Sequence, residues 1–301
     1  MLGLQSVGVQ EVIAMPDSSH LCQRAREESR LSLEFSLLDM PAYYAESDTV
    51  LAASLMEKLN VDCLVTLGGD GTNRAVARGS TALPLVAIST GTNNVFPAMT
   101  EGTLAGIAAG LVAQGKLELE KVSTVSKVLE VYVDGQFRDL ALVDVALSRE
   151  RFVATRAIWD LSTLYEVFLT RAEPSSIGLS SVGARLQSVS LEDAAGLHYT
   201  LSDAGENPGK SGSARGDGVR VLAPIAPGVV VQVSVACWQT LDLDQRVPVE
   251  PRHATVALDG ERAFTVNPRQ QLEVAVRRSG PRVVDVDRAL QAAAQQGVFR
   301  L

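Results

Sequence analysis

A chain of 301 residues that is 46% hydrophobic can bury a sizeable core, which argues against disorder and leaves room for two domains. Its 35 acidic and 27 basic side chains give a net charge of −8, which argues against nucleic acid or an anionic membrane as partner. Cys22, Cys63 and Cys237 are scattered without C-x-x-C spacing or clustered histidines, so neither a disulfide scaffold nor a zinc centre is expected. No signal-like opening is present either, and a reducing cytoplasm is the expected compartment.

The first 120 residues alternate β-branched runs with helical patterns, as in a parallel sheet with crossover helices. Residues 12–15 read as a short strand, 20–29 as a charged helix and 33–38 as a second strand. Ser47 is the expected cap of a helix through Leu59, with Val50, Leu51, Ser54, Leu55 and Leu59 on one face. Residues 63–67 and 83–89 are the next strands, and Leu104, Ile107, Ala108, Leu111 and Val112 mark a helix ending near Gly115.

From about residue 123 the period becomes alternating. Residues 128–133, Asp134-Gly135 and residues 137–147 read as a hairpin with a type I′ turn, because Asp-Gly supplies positive φ cheaply. Residues 255–258, Asp259-Gly260 and residues 262–266 repeat the device. The serine-rich stretch 175–183 is expected to be strand and turn. Residues 203–218, rich in Gly, Ser and Asp, read as an exposed loop or disordered excursion. Residues 221–241 carry no charge and are long enough to span a bilayer, yet Pro224, Pro227 and the β-branched alternation make them sheet. Leu272, Val274 and Val276 alternate with Glu273, Ala275 and Arg277, and the tail is helical again up to Gly297, with Asp285 and Asp287 at its start. The expected organisation is 1–120 α/β, 121–284 β-rich, and 285–301 a helix returning to the first domain.

The chemistry concentrates in Gly68-Gly69-Asp70-Gly71-Thr72, between a strand and a helix. Glycines let the backbone approach a phosphate and aim several N–H donors at it. A carboxylate in that turn repels phosphate, and it makes sense as a ligand of Mg²⁺ or as the acceptor of a proton from an attacking hydroxyl. Such a pentapeptide arises by chance at about one position in a million, so its presence is informative. Thr90, Gly91, Thr92, Asn93 and Asn94 follow the next strand and form a second polar loop at a strand's carboxyl end, where open α/β sheets bind ligands.

These residues resemble the superfamily of NAD kinases and diacylglycerol-type lipid kinases. More closely, MPDSSHL at 15–21, LVTLGGDGTNRAVA at 64–77, PLVAISTGTNNVFP at 84–97 and ALVDVAL at 141–147 resemble the ATP-NAD kinase-like acetoin catabolism protein X family. The resemblance implies a two-domain α/β plus β fold: an N-terminal open Rossmann-like domain and a C-terminal, mainly antiparallel β domain. It implies ATP as donor, Mg²⁺, a nucleotide in the interdomain cleft and a homo-oligomer. Gly68, Gly69, Gly71, Thr72 and Asn73 would then line the phosphate loop, with Asp70 activating the acceptor hydroxyl or organising the metal. Thr90, Gly91, Thr92, Asn93 and Asn94 would contact the nucleotide. VALDGERAF resembles the D-G-E turn in which lipid kinases use the glutamate as base, here Glu261; Asp144 and Asp259 are candidates for substrate hydroxyls or metal.

The sequence also departs from that pattern. Val143-Asp144 stands where NAD kinases carry an Asn-Glu pair that grips the dinucleotide, and residues 223–228 stand where a Thr-Gly-Ser-Thr-Ala-Tyr-like stretch falls. The Asn-Pro-x-Ser-Gly-like loop is missing, so the α/β domain is expected to lack its first strand. These departures argue against NAD as acceptor, which is what the resemblance implies; a small polyol or acetoin-related metabolite is the alternative, and a lipid is disfavoured because no basic amphipathic membrane segment is evident. The competing expectation is a nucleotide-binding regulator with weak or no turnover. His20, His198 and His253 are spread out and none sits in a nucleophile motif; His253 reads as a surface or core-edge residue, and Trp159 and Trp238 as packing residues.

Overall fold

The computed structural model describes residues 1–28, 31–150, 161–202 and 218–300. Residues 203–217 of the expected loop, and Trp159, lie outside them. In chain order the first elements are α1 (Leu2–Ser6), β1 (Glu11–Ala14), α2 (Leu21–Glu28), β2 (Glu34–Leu37) and α3 (Glu46–Lys58). Next come β3 (Leu64–Gly68), α4 (Asp70–Gly79), β4 (Pro84–Ser89), α5 (Gly102–Ala113), α6 (Leu119–Val122) and β5 (Ser123–Val125). The antiparallel part holds β6 (Val128–Val133), β7 (Gln136–Ala141), β8 (Asp144–Ser148), β9 (Leu164–Leu169), α7 (Leu179–Leu186) and β10 (Ala195–Leu201). It continues through β11 (Val219–Ala226), β12 (Val229–Asp242), β13 (Arg246–Val249), β14 (Ala254–Leu258), β15 (Glu261–Val266) and β16 (Leu272–Arg277), and β17 (Arg282–Val284) and α8 (Val286–Gln295) end the chain.

Two compact units result: Met1–Gly91, Pro97–Ser126 and Gly280–Leu301 form the first, Thr92–Phe96 and Lys127–Ser279 the second. Residues 121–126 and 280–284, which the periods put in the β-rich stretch, contribute β5 and β17 to the α/β sheet instead. That sheet has the order β3-β4-β17-β5, with β3, β4 and β17 parallel and β5 antiparallel. The sequence pointed to one parallel sheet, but β1 and β2 pair in parallel as a separate sheet of two. Val86, Ile88, Ala105, Leu111, Ala289 and Ala293 centre this unit's core, so the C-terminal helix packs where the α/β residues are.

Capping explains where the helices begin. Glu101 caps α5, accepting from the Thr103 and Leu104 amides, and Asp285 caps α8, accepting from that of Arg288. At α3 the expected cap Ser47 lies inside the helix. The N-cap is Ala45, and buried Asp48 reaches back to accept from the amides of Tyr43 (2.7 Å), Tyr44 (2.6 Å) and Ala45 (3.4 Å).

The second unit is built on two antiparallel sheets, β11-β12-β10-β9-β8-β14-β15 and β13-β16-β6-β7. Leu129, Val131, Val274 and Val276 of the smaller sheet pack with Val145, Leu147, Phe168, Val256 and Leu258 of the larger. Val167, Leu169, Leu197 and Tyr199 form a second cluster with Val182 of α7. Both Asp-Gly pairs have positive φ at each residue, 52° and 77° at Asp134-Gly135 and 51° and 77° at Asp259-Gly260, as a type I′ turn requires.

Two expectations fail here. The stretch 175–183 is not strand and turn, because it supplies the start of α7. Gly178, at φ 75°, opens that helix, and Gly183 lets β9 and β10 approach: a Cβ there would stand 2.4 Å from a Leu169 methyl. The expected strand 137–147 is two strands in different sheets, broken at Leu142-Val143 for a reason that lies in the candidate site. Residues 221–241 fall in β11 and β12, and among the described residues no helix is long and apolar enough to cross a membrane.

Candidate functional site

Strand β3 ends at Gly68, Gly69 is the N-cap of α4, and Asp70 is the first helical residue. The turn closes tightly. A Cβ on Gly68 would lie 2.4 Å from Thr72 Oγ1 and 2.6 Å from Thr72 Cβ, so glycine is required where the backbone folds over the threonine. Asn73, expected among the nucleotide contacts, is wholly buried beneath the turn. Its Nδ2 donates to Gly69 O (2.8 Å) and its Oδ1 accepts from Thr66 Oγ1 (2.7 Å), so its side chain braces the turn from within.

The second polar loop begins against the first. Thr90 N donates to Gly68 O (3.3 Å), and Ser89 Oγ donates to Gly91 O (2.8 Å). Gly68–Thr72 and Thr90–Gly91 are thus brought together at the carboxyl ends of two adjacent parallel strands. Asp70, Gly71 and Thr72 are half-buried, and Thr90, Thr92 and Asn93 are exposed. Gly69 brings no capping side chain, unlike the carboxylates that cap α5 and α8, so the first-turn amides of α4 are suited to an outside anion.

Thr92, Asn93, Asn94, Asp144, Asp259 and Glu261 belong to the second unit. Asp259 was a candidate for substrate or metal, but the structure gives it another task. It is buried, and its carboxylate accepts from the amides of Leu142 (3.0 Å), Val143 (2.7 Å) and Asp144 (3.3 Å), while its own amide donates to Asp144 O (2.9 Å). The three amides so engaged are where β7 ends and β8 begins, which is why the expected single strand breaks there. Asp144 is buried at the start of β8, and Glu261 starts β15 directly opposite Leu258.

Among the described residues no group of three His, Cys, Asp or Glu side chains could hold a metal. Mg²⁺ at phosphoryl-transfer sites usually takes one or two carboxylates plus substrate phosphates and water, a requirement that half-buried Asp70 fits better than buried Asp259, whose oxygens already accept from three amides. His198 is buried: its Nε2 lies 2.8 Å from Glu166 Oε1 and its ring stacks on Phe168 at 4.3 Å. Exposed His253 lines a cavity of about 230 Å³ with Thr265, Asn267 and Gln270.

Arg171 is the residue that sequence reasoning missed. It is buried just after β9, donates to Val95 O and lies over the Phe96 ring (5.8 Å to its centre), gripping the end of the second loop. Its only sequence signal is a lone arginine in an apolar run, which does not mark a site.

Comparison with known proteins gives the same picture at family level. Residues 6–116 match the ATP-NAD kinase N-terminal domain, and residues 127–279 match the acetoin catabolism protein X C-terminal domain. Acetoin catabolism protein X of Cupriavidus necator is 36% identical over 312 aligned positions, which cover 100% of this chain and 84% of that protein. The crystal structure of an NAD kinase from Archaeoglobus fulgidus in complex with ATP aligns with a TM-score of 0.43 at 14% identity, over 96% of this chain and 98% of the other.

Proposed function

The chain belongs to the acetoin catabolism protein X family, and from that premise we propose that it is an ATP- and Mg²⁺-dependent small-molecule kinase. The observation that carries the reading is the closed turn Gly68–Thr72, with an uncapped helix N-terminus beside a single half-buried carboxylate. Phosphoryl transfer asks chiefly for positioning and charge neutralisation, so such a site needs no covalent nucleophile. The α4 amides hold phosphate oxygens, and Thr92, Asn93 and Asn94 supply polar contacts to the nucleotide. Asp70 takes the proton of the acceptor hydroxyl as its oxygen bonds to the γ-phosphorus and the bond to the β-phosphate oxygen breaks, releasing ADP. Bound Mg²⁺ would supply neutralisation of phosphate charge, and holding that ion is the alternative task for Asp70. Glu261 is the second proposed base, and Asp144 a contact for acceptor hydroxyls.

The proposed acceptor is NAD or a small hydroxylated metabolite of the kind the Cupriavidus relative's name suggests, one of acetoin catabolism. Incubation with ATP, Mg²⁺ and NAD should yield NADP, and if it does not, a panel of small hydroxy compounds should reveal the acceptor by ADP release. Asp70→Asn should lower turnover about 100-fold or more while nucleotide binding persists, as loss of a general base does. Full turnover in that variant would remove Asp70 from the chemistry. Nucleotide binding with no ADP release on any acceptor would instead favour a regulatory nucleotide-binding protein.

A further inference from the structure

We infer that Arg171 is the positioning residue of the second loop, fixing Thr92–Asn94 for the nucleotide; the ligand in this inference rests on the reading just given. Burying a guanidinium is costly unless its donors are met, and Arg171 is only 8% exposed. One donor goes to Val95 O and the cation covers the buried Phe96 ring, so the grip falls on the two residues directly after Asn94. Thr92–Asn94 therefore runs directly into a fixed point of its own unit.

The arginine is itself locked on both sides. Thr170 donates through its amide to Val143 O (2.9 Å) and through its hydroxyl to Leu142 O (2.7 Å), while Ala172 and Val189 exchange backbone bonds of 2.8 and 2.9 Å. Leu142 and Val143 are the residues whose amides Asp259 holds. One run of hydrogen bonds inside the second unit thus leads from the Asp259-Gly260 turn, which precedes Glu261, through Leu142-Val143 and Thr170-Arg171 to Val95. An arginine suits this place because its planar fork can bond a carbonyl while its face covers a ring. Lysine offers only the charge, so Arg171→Lys is a substantive change.

The test has two arms, using the full chain with Arg171→Lys and Arg171→Ala. In ligand-free protein, hydrogen exchange at residues 92–96 should quicken about tenfold or more in both variants, while β8 and β9 keep their protection. Unchanged exchange at 92–96 would overturn the inference, and this arm stands even if the protein binds no ATP, a result that would sink the proposed function alone. If Arg171→Ala does not fold, Arg171→Lys decides.

In the second arm, calorimetry should show ATP bound about tenfold more weakly by the Arg171 variants. Combined with Asn93→Ala, the loss should be clearly less than the sum of the two single losses, because both act through one loop. A general structural role would give additive losses, and that outcome would overturn the inference.

Discussion

Asp259 does two things with one residue, and both are physical necessities of its place. Its backbone takes φ 51°, a left-handed conformation that aspartate and asparagine tolerate better than most, and its carboxylate satisfies three amides that neither adjoining sheet takes up. Without it, those buried donors lose their acceptor at about 1–3 kcal/mol each, so Asp259→Ala should cost about 3–5 kcal/mol in urea unfolding. Asp259→Asn keeps the turn and one acceptor oxygen and should cost about 1–2 kcal/mol. Equal losses would mean that the backbone conformation, not the carboxylate, is what matters. The Asp-Gly pair announced the turn in the sequence, whereas the carboxylate's task was hidden because its partners lie 115–117 residues away. Asn73 shows the same limit: its place beside the glycines suggested a ligand contact, and only the fold reveals that it points inward under Gly69.

Elements with strong local period were legible: β3, α4, β4, α5, the two Asp-Gly turns and α8 all lie within a few residues of their expected places. Those set by distant contacts were not. Strand β17 has three residues and takes its identity from pairing with β4 and β5, and α7 forms in a serine-rich stretch because Gly178 and Gly183 fit it against β9 and β10. Helix α1, five residues long and unread from the sequence, owes its place to close packing on α5, where a Cβ on Gly3 would stand 2.2 Å from the Thr103 carbonyl oxygen and 2.9 Å from the Ile107 amide. Backbone cannot yield as a flexible side chain does, so Gly3→Ala should push α1 off α5 and cost about 1–3 kcal/mol. Gly102→Ala is the matched control, because nothing lies within 4 Å of a Cβ there and alanine favours the helix. Thermal unfolding should show a lowered midpoint for the first and an unchanged or raised one for the second. Similar midpoints would mean that α1 does not depend on that contact.

At the scale of the whole molecule, stability should carry the mark of Lys127, a lysine only 1% exposed at the start of the second unit. Its Nζ donates to Ser190 O (2.8 Å) and Ala195 O (2.6 Å). Burial, and then the neighbouring Arg278, bring its pKa down from 10.5 to about 8; Arg171 pushes the same way, and Asp193 and Glu173 oppose them. A lysine depressed in the folded state is charged in both states below about pH 8, where burying the charge lowers stability by the full amount. Between about 8 and the ordinary value, the unfolded chain holds a proton that the folded chain has released, so stability rises with pH across that window. The remaining lysines, arginines and carboxylates titrate in both proteins of a pair, so the difference between wild type and Lys127→Met isolates this group. In urea unfolding from about pH 7 to about pH 10, that difference should move in favour of the wild type, chiefly above pH 8. A difference flat with pH would mean that the two carbonyl bonds keep the amine charged across the window.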